Sequence, residues 1–452
     1  MTTIILVNLV ISIAAILVLI LRFKVNPTIA LFLGALYMGI GSGVGSTGTL
    51  GAIGDGFGGL MKGIGLSVGF GIMLGQLLAD SGAVQSIANK MLRVMSRERA
   101  NYALGGTGFI VSTPVFYDVG YVILVPLCRT LAKSAKSLPH FVGALVAGLG
   151  IAHTFVPPTP GPMTGGELLQ IDLGITMLWG LIIAFPTFMI SMWVYEKFFL
   201  NRNGFWNPAK DEDESFIESE TIQKAKEATF ANEDNLPGFW ASMLPILMPV
   251  ILILLGTCAV ALLGKKNVPE WIMFISDRNI AMLAGVFAAM NVARRVMTKD
   301  DMERSINKAL GAAGIVLLIT GAGGAFGAVL AKAGVGKVLV EAVKNLHIHP
   351  LILTWAMASL FKFAQGSGTV AMITAVSIIA PAVPAMGMPP ILVALAAFSG
   401  SLFGCHVNDS GFWITAKIAG LSTSGGFKTY STVTAIQSII SIVLILLVSM
   451  VM

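Results

Sequence analysis

The sequence predicts an all-α polytopic membrane protein made of two inverted-topology repeats, each with about five transmembrane helices and one re-entrant hairpin. Three observations lead to this prediction: an apolar composition, an internal repeat, and an alternation of basic loops between its two copies. Of the 452 residues, 55% are hydrophobic and only 12% are charged, and the mean hydropathy is +0.83. Soluble domains carry roughly 25% charged residues. The composition therefore excludes a soluble protein.

Long windows without a charged residue identify the spans, because an apolar run of about 20 residues crosses the ~30 Å hydrocarbon layer as a helix. With the shorter apolar segments between them, they predict about ten spans and two hairpins. Arg22 and Lys24 follow the first window and no basic stretch precedes it, which predicts a first span that ends in the cytoplasm rather than a signal peptide. The windows lie at 4–21, 28–54, 174–195, 239–264, 310–331 and 430–452.

The internal repeat relates residues 69–82 to residues 321–334 without a gap, at an offset of 252 residues (from 69 to 321). The shared residues are Gly, Ala and Leu, so chance identity in membrane sequence is the alternative. The distribution of basic residues favours a true repeat over chance identity. They cluster in the loops 294–308, 90–99 and 129–139, whereas the equivalent loops 42–56, 342–351 and 381–391 contain none except Lys344. Since Lys and Arg mark cytoplasmic loops, the two halves are predicted to cross the membrane in opposite senses.

The resulting organisation has a first repeat at 1–200, an acidic cytoplasmic linker at 201–238 and a second repeat at 239–452. A re-entrant hairpin is predicted at about 101–128, opening to the cytoplasm, and another at about 350–382, opening to the outside. Each half also contains a broken helix, at about 140–166 and about 391–415. Within the linker, the acidic cluster Asp211–Glu214 is predicted to be solvated, since charge runs usually are.

Four polar, Gly- and Pro-rich segments are predicted to interrupt helices. The offset of 252 residues aligns them as two pairs, with one member of each pair in each repeat. Non-helical backbone at membrane depth is tolerated only where protein covers it or a water-filled cavity receives it. Interrupted helices direct N-termini, with partial positive charge and free N–H groups, at anionic substrates. The breaks therefore predict a binding site for a carboxylate or similar anion, although any single Ser or Thr can instead bond to its own backbone. The candidate substrate-binding residues are Ser112, Thr113, Pro114, Pro158, Thr159, Gln365, Gly366, Ser367, Gly368, Thr369, Asn408 and Ser410.

Two acids and two histidines near these breaks are candidates for proton coupling. Asp118 and Asp409 are flanked by apolar sequence, where a charged carboxylate is costly to bury. Either acid is a candidate proton carrier. The alternative is a structural carboxylate that caps a helix or pairs with a buried cation such as Lys362 or Lys417. His153 and His406 are candidates for proton relay, with a structural hydrogen-bonding role as the alternative.

The sequence around these breaks resembles the gluconate permease family, proton-coupled gluconate symporters of the bacterial inner membrane. The motifs that carry the resemblance are Pro114–Gly120, His153–Pro162, Ala364–Ala371 and His406–Trp413. The resemblance implies proton symport of a small hydroxy- or amino-acid anion, gluconate first, in a homodimer with elevator-type movement and no cofactor. D-serine, glycerate and 3-hydroxybutyrate are alternative substrates. One position departs from the family, because many similar carriers have His where this chain has Thr159.

Other functions are less well supported by the sequence. A sodium-coupled carrier remains an alternative, because unwound carbonyls with Asn and Ser also suit Na⁺. A membrane-embedded enzyme is a distant alternative, since the chain has neither a His-Glu-x-x-His motif nor a Gly-x-Ser-x-Gly elbow. The three cysteines show no zinc or disulfide spacing, and no metal site is predicted. The net charge of +6 is accounted for by cytoplasmic loops and needs no nucleic-acid partner.

Overall fold

The computed structural model describes residues 2–94, 96–132, 136–213, 236–346 and 348–452. Apart from an isolated β-bridge between Glu212 and Leu421, the regular structure of these ranges is helical. The helices are α1 (Thr2–Leu21), α2 (Pro27–Gly41), α3 (Ser46–Asp80), α4 (Ala83–Val94), α5 (Ala100–Val111), α6 (Tyr117–Ala132), α7 (Leu138–Phe155), α8 (Pro160–Leu168), α9 (Leu173–Val194), α10 (Pro208–Asp211), α11 (Phe239–Leu263), α12 (Glu270–Ser276), α13 (Arg278–Ala293), α14 (Lys299–Lys332), α15 (Val335–Leu346), α16 (Pro350–Gln365), α17 (Gly368–Ile379), α18 (Val383–Met386), α19 (Pro390–Gly400), α20 (Ser410–Ala419), α21 (Thr423–Gly426) and α22 (Thr432–Ser449).

Four short segments complete the helical structure. Two are single 3₁₀ turns, Arg97–Arg99 and Ala380–Ala382. The other two are π-helical turns, Tyr195–Leu200 after α9 and Phe427–Ser431 before α22. The second π turn continues directly into α22.

The length and composition of the helices confirm a polytopic membrane protein. Among the described residues, 8 helices are long and apolar enough to span a membrane, or 9 if α12 and α13, bent by 59° at Asp277, form one span. The sequence predicts about ten spans. The difference arises because α2 and α19 are apolar but have only 15 and 11 residues, and a helix rises about 1.5 Å per residue.

Side-chain caps fix where several helices begin, by satisfying backbone N–H groups that have no partner inside the helix. Asp172 accepts hydrogen bonds from the N–H groups of Gly174 and Ile175 at the start of α9. Asp277 does the same at the start of α13. Thr298 and Asp301 form a reciprocal capping box at the start of α14.

The helix boundaries recur at the offset found in the sequence. Helix α4 covers residues 83–94 and α15 covers residues 335–346, a shift of 252 at both ends. The two longest helices, α3 and α14, end at Asp80 and Lys332, which are also 252 residues apart. They pack against each other, and Gly56 and Gly324 face one another so closely that a Cβ on either would overlap the other's backbone. The inverted orientation of the halves stays a prediction.

The two interrupted helices form the centre of the protein. Helix α7 ends at Phe155 and α8 begins at Pro160, while α19 ends at Gly400 and α20 begins at Ser410. Almost every residue of α7 and of α19 is buried. A helix that is apolar on all sides belongs in a protein interior. The interruption between α7 and α8 is therefore enclosed by protein, whereas the one between α19 and α20 is partly exposed, at Val407, Asn408 and Ser410.

Asp211 is buried, contrary to the prediction of a solvated acidic cluster. Its side chain is fully inaccessible and accepts hydrogen bonds from Lys428 Nζ (2.7 Å), Ser424 Oγ (2.7 Å) and the Asn207 N–H (2.7 Å). The partner lysine lies 217 residues further along the chain, so the local charge run could not reveal it. Glu214, and the linker to residue 235, lie outside the described residues. The N-terminal part of the linker is thus attached to the segment that precedes α22.

Substitution of Asp211 by Asn is expected to destabilise the protein by about 1.5–3 kcal/mol at neutral pH, the range for hydrogen bonds to charged groups. Burial alone raises the pKa of Asp211, but the hydrogen bonds from Lys428, Ser424 and Asn207 and the lysine charge outweigh it and hold the pKa below its ordinary value of 3.8. A lowered folded-state pKa adds stability above the unfolded pKa that is lost as the pH falls through the folded value. Thermal unfolding in detergent from pH 7 to pH 3 should show the wild type converging on Asp211→Asn only at the acidic end. Glu303→Gln, at an exposed site, is the control, and a constant gap between wild type and Asp211→Asn would contradict the assignment.

Candidate functional site

The breaks at residues 366–367 and 401–409 border a cavity of about 380 Å³. This volume lies within the range of roughly 300–1,000 Å³ that is usual for small-molecule sites. The wall is formed by α6, α7, the α16–α17 connection, the α19–α20 break and the π turn before α22. The lining residues are Phe116, Tyr117, Asp118, Gly150, His153, Thr154, Lys362, Gln365, Gly366, Ser367, Gly368, Thr369, Met372, Ser401, Leu402, Cys405, Asn408, Asp409, Ser410, Gly411, Tyr430 and Thr434.

All predicted substrate-binding residues of the C-terminal half line this cavity. They are brought together from two separate breaks, namely Gln365, Gly366, Ser367, Gly368, Thr369, Asn408 and Ser410. Of the predicted proton-coupling residues, Asp118, Asp409 and His153 also line it. The C-terminal half therefore supplies most of the polar surface, and the N-terminal half supplies Asp118 and His153.

The predicted substrate-binding residues of the N-terminal half do not line the cavity. The hydroxyl groups of Ser112, Thr113 and Thr159 donate to the carbonyls of Val115 (3.3 Å), Phe109 (3.3 Å) and Val156 (2.8 Å). All three hydroxyl groups thus bond to nearby backbone, which is the alternative predicted from the sequence for a single Ser or Thr. Pro114 and Pro158 pack instead against α3, where Gly75 and Gly71 leave room for them.

The two C-terminal breaks are locked together by backbone contact. Gly366 has a φ of +86°, a left-handed conformation that favours glycine, and a Cβ there would overlap the carbonyl of Asn408. Asn408 Nδ2 donates to the carbonyls of Phe363 (2.7 Å) and Ala364 (3.1 Å). His406 Nε2 lies 2.9 Å from the same Phe363 carbonyl and does not line the cavity. His406 therefore contacts the end of α16, and its role as a proton relay stays a prediction.

Two helix N-termini face the cavity next to these contacts. Helix α17 begins beside Ser367, whose Oγ accepts from the Val370 N–H (3.4 Å). Helix α20 begins beside Asp409, whose Oδ1 accepts from the Gly411 N–H (2.9 Å). Such N-termini carry partial positive charge and favour an anionic group. The C-terminal half thus presents to the cavity two helix N-termini of a kind that suits an anionic group.

Sequence reasoning missed Lys362 as a site residue and left the role of Asp409 open. Lys362 Nζ lies 2.5 Å from Asp409 Oδ2 and donates to the carbonyl of Gly366 at 2.5 Å. Tyr430 also donates to Asp409 Oδ2, at 2.8 Å. Lys362 and Asp409 are 4% and 5% exposed, so the ion pair is buried at the cavity wall. Lys362 is the one charged residue between 350 and 382, a signal that could have identified it.

Asp118 is in a different situation from Asp409. Its side chain is exposed and lines the cavity, and no described residue forms a hydrogen bond or ion pair with it. The neighbouring Tyr117 bonds to Thr415 Oγ1 on α20 at 2.7 Å, and Tyr121 donates to the Thr415 carbonyl. Helix α6 is therefore fixed to α20. One acid of the cavity is paired and the other is not.

Two further polar atoms of cavity residues have no partner in the part of the chain that the structure describes. They are His153 Nδ1 and Gln365 Nε2. Buried polar groups are normally hydrogen-bonded, so each unsatisfied one requires an explanation. The ring of His153 packs near Phe116, with 5.7 Å between the centroids. Among the described residues, no group of three or more His, Cys, Asp or Glu is arranged to hold a metal ion.

Comparisons with known proteins agree with a transport site. A family profile described as GntP family permease matches residues 4–451. The chain is 35% identical to the high-affinity gluconate transporter of Escherichia coli, with 98% of both chains covered. It is 31% identical to the L-idonate transporter of the same organism, over 94% of this chain and 95% of that one. Among solved structures, MtrF of Neisseria gonorrhoeae, described with a class of antimetabolite efflux pumps, shares the fold with a TM-score of 0.66 at 15% identity and 94% coverage of both chains.

Proposed function

This chain belongs to the GntP permease family, and from that premise we propose that it imports gluconate, or a similar small hydroxy-acid anion, by proton symport. It is a transporter rather than an enzyme. The observation that carries the proposal is one cavity whose wall combines a lysine, two helix N-termini and two carboxyl groups. The membrane would be the inner membrane of a bacterium, with residues 201–238 on the cytoplasmic side.

The anionic end of the substrate is supported by the C-terminal wall. Lys362 and the N-termini of α17 and α20 together favour a carboxylate. Polyol hydroxyl groups can be met by the side chains of Ser367, Thr369 and Ser410, with Gln365 and His153 nearby. A hydroxy acid would use both the groups that favour a carboxylate and the side chains that meet hydroxyl groups, whereas a simple fatty acid would use only the groups that favour a carboxylate.

The proton would be carried by Asp118 or Asp409. Asp118 is the more accessible acid, because its carboxyl group reaches the cavity without a partner. Ionisable side chains between membrane-spanning helices commonly belong to ion or proton pathways. Two inverted repeats, 1–200 and 239–452, with elevator-type movement in a homodimer, complete the proposal. The recurrence of helix boundaries at an offset of 252 residues supports the two repeats, and the resemblance to the family is the ground for the movement and the homodimer.

Uptake by purified protein in proteoliposomes tests the proposal. Labelled gluconate should accumulate under an inward proton gradient without sodium and be released by a protonophore. Unlabelled L-idonate, glycerate, D-serine and 3-hydroxybutyrate, added one at a time, rank the substrates. Accumulation that requires sodium would contradict proton coupling, and failure of gluconate to accumulate or compete would contradict the substrate.

If Asp118 rather than Asp409 carries the proton, Asp118→Asn is expected to reduce proton-driven accumulation of gluconate at least about tenfold while leaving exchange across the membrane intact. If Asp409 carries the proton, Asp118→Asn should still accumulate gluconate. The substitution removes the titratable proton but keeps the size of the side chain, and a tenfold effect corresponds to about 1.4 kcal/mol. Counterflow of labelled gluconate against an unlabelled internal pool reads exchange without any gradient. Uphill uptake at the wild-type level in this variant would exclude Asp118 as the carrier.

A further inference from the structure

We propose that Lys362 is the receptor for the substrate carboxylate and that Asp409 occupies this receptor when no substrate is bound. A proton on Asp409 would then release Lys362 to the substrate, so that proton and anion bind together. This inference rests on the proposed function and deepens it, because it assigns the anion site and the coupling step to one ion pair. Asp409 and the substrate carboxylate would be alternative partners of the same ammonium group.

The geometry of Lys362 suits an exchange of partners. Its ammonium group has three donors. One is used by the Gly366 carbonyl at 2.5 Å, and another by Asp409 Oδ2 at 2.5 Å. The first contact anchors the ammonium group at the cavity wall whichever carboxylate is bound. A substrate carboxylate that replaces Asp409 would also meet the N-terminus of α17, which begins at Gly368 beside the same carbonyl.

Asp409 can accept a proton and keep its hydrogen bonds to Gly411 and Tyr430. Oδ1 continues to accept from the Gly411 N–H at 2.9 Å. Tyr430 donates to Oδ2 at 2.8 Å in the charged state. Because a phenol hydroxyl can donate or accept, a protonated Oδ2 can donate to the same Tyr430 oxygen. Protonation therefore reverses one hydrogen bond and breaks only the contact to Lys362.

Charge balance then makes the binding of the proton and the binding of the substrate anion depend on each other. In the empty cavity, Lys362 and Asp409 form a neutral pair. With both cargoes, the Lys362–carboxylate pair and the protonated Asp409 are again neutral overall. With only the proton or only the anion, one unit charge is left unbalanced, which costs several kcal/mol in a buried site. The proton comes from water on one side and returns to water on the other, and no bond in the substrate changes.

Other titratable groups also face Asp409. They are Lys362 on α16, Tyr430 on the π turn, Tyr117 and Asp118 on α6, and Cys405 within the same break. Asp118 is the second acid, and its charge opposes entry of an anion. Neutralising Asp118 alone, however, leaves the ion pair between Asp409 and Lys362 intact. The two acids are therefore separable by experiment.

Asp409→Asn is the first test, because an amide imitates the protonated acid and keeps the cap on α20. This variant should exchange gluconate in counterflow at a rate within about threefold of wild type, independently of pH between 5.5 and 8. It should no longer accumulate gluconate under a proton gradient. In Lys362→Gln/Asp409→Asn, which has no charge at either position, both counterflow and accumulation should fall by tenfold or more, while thermal unfolding in detergent reports that the fold is retained.

Three results would overturn the inference: accumulation by Asp409→Asn, loss of its exchange with the fold intact, or wild-type exchange by the double variant. The matched control is Glu167→Gln/Arg278→Gln, which removes an ion pair of the same 2.5 Å length that does not line the cavity. This control should remain proton-coupled. If wild type moves gluconate with sodium or not at all, the proposed function fails. Lys362→Gln/Asp409→Asn then still tests the role of Lys362, by comparing its binding of a hydroxy acid that the wild type does bind with the binding by wild type.

Discussion

Lys362→Met is expected to destabilise the protein by about 3–5 kcal/mol, the cost of leaving one member of a buried ion pair without its partner. Methionine matches the lysine side chain as far as Cε, so the loss is mainly one of charge and hydrogen bonds rather than of packing. The unpartnered group is Asp409, which is 5% exposed and would retain only the donors Tyr430 and Gly411. Equilibrium unfolding in mixed micelles, followed by tryptophan fluorescence, measures the effect.

A second substitution separates stability from transport in this experiment. Lys362→Met/Asp409→Asn removes both charges, and replacing a buried pair by neutral groups is often close to neutral in stability. The double variant should therefore recover most of the lost stability but not the transport of gluconate. If the single variant unfolds like wild type, Asp409 does not depend on Lys362, and the pairing has no energetic importance.

Gly366→Ala is expected to abolish transport and to cost about 2–5 kcal/mol. A non-glycine residue in the left-handed region costs roughly 1–2 kcal/mol. Overpacking adds about 1–3 kcal/mol, because the new Cβ would overlap the Asn408 carbonyl and approach the Asp409 N–H. Relief of this overlap would push the two breaks apart and move Ser367 away from Ser410. Uptake and counterflow should both fall below detection.

The matched control for this prediction is Gly387→Ala. Gly387 also has a positive φ, +65°, but an added Cβ would meet nothing within 4 Å, and the residue does not line the cavity. This variant should show the conformational cost alone and keep its transport activity. Equal losses in both variants would mean that backbone strain, and not the contact between the breaks, accounts for the effect at Gly366.

Much of the architecture could be predicted because its causes are local in the sequence. Charge-free windows of span length leave no soluble alternative, and Gly, Pro and Ser interrupt helices wherever they cluster. The interruption after Phe155 and the one before Ser410 fall within the broken helices predicted at about 140–166 and about 391–415. The motif residues of the C-terminal half were recognised as a site for the same reason. A polar, glycine-rich break in apolar sequence has few other uses.

The sequence by itself determined that this protein lies in a membrane and where its helices break, and it predicted an anion site at the breaks. Only the tertiary structure decided which breaks meet. It brings residues 366–367 against 408–409 and leaves Ser112 and Thr159 bonded to their own backbone. In the tertiary structure Asp409 pairs with Lys362 rather than with Lys417, and Asp211 pairs with Lys428. Helix periodicity and composition act over a few residues, whereas ion pairs form between groups that packing brings within about 4 Å, irrespective of their separation along the chain.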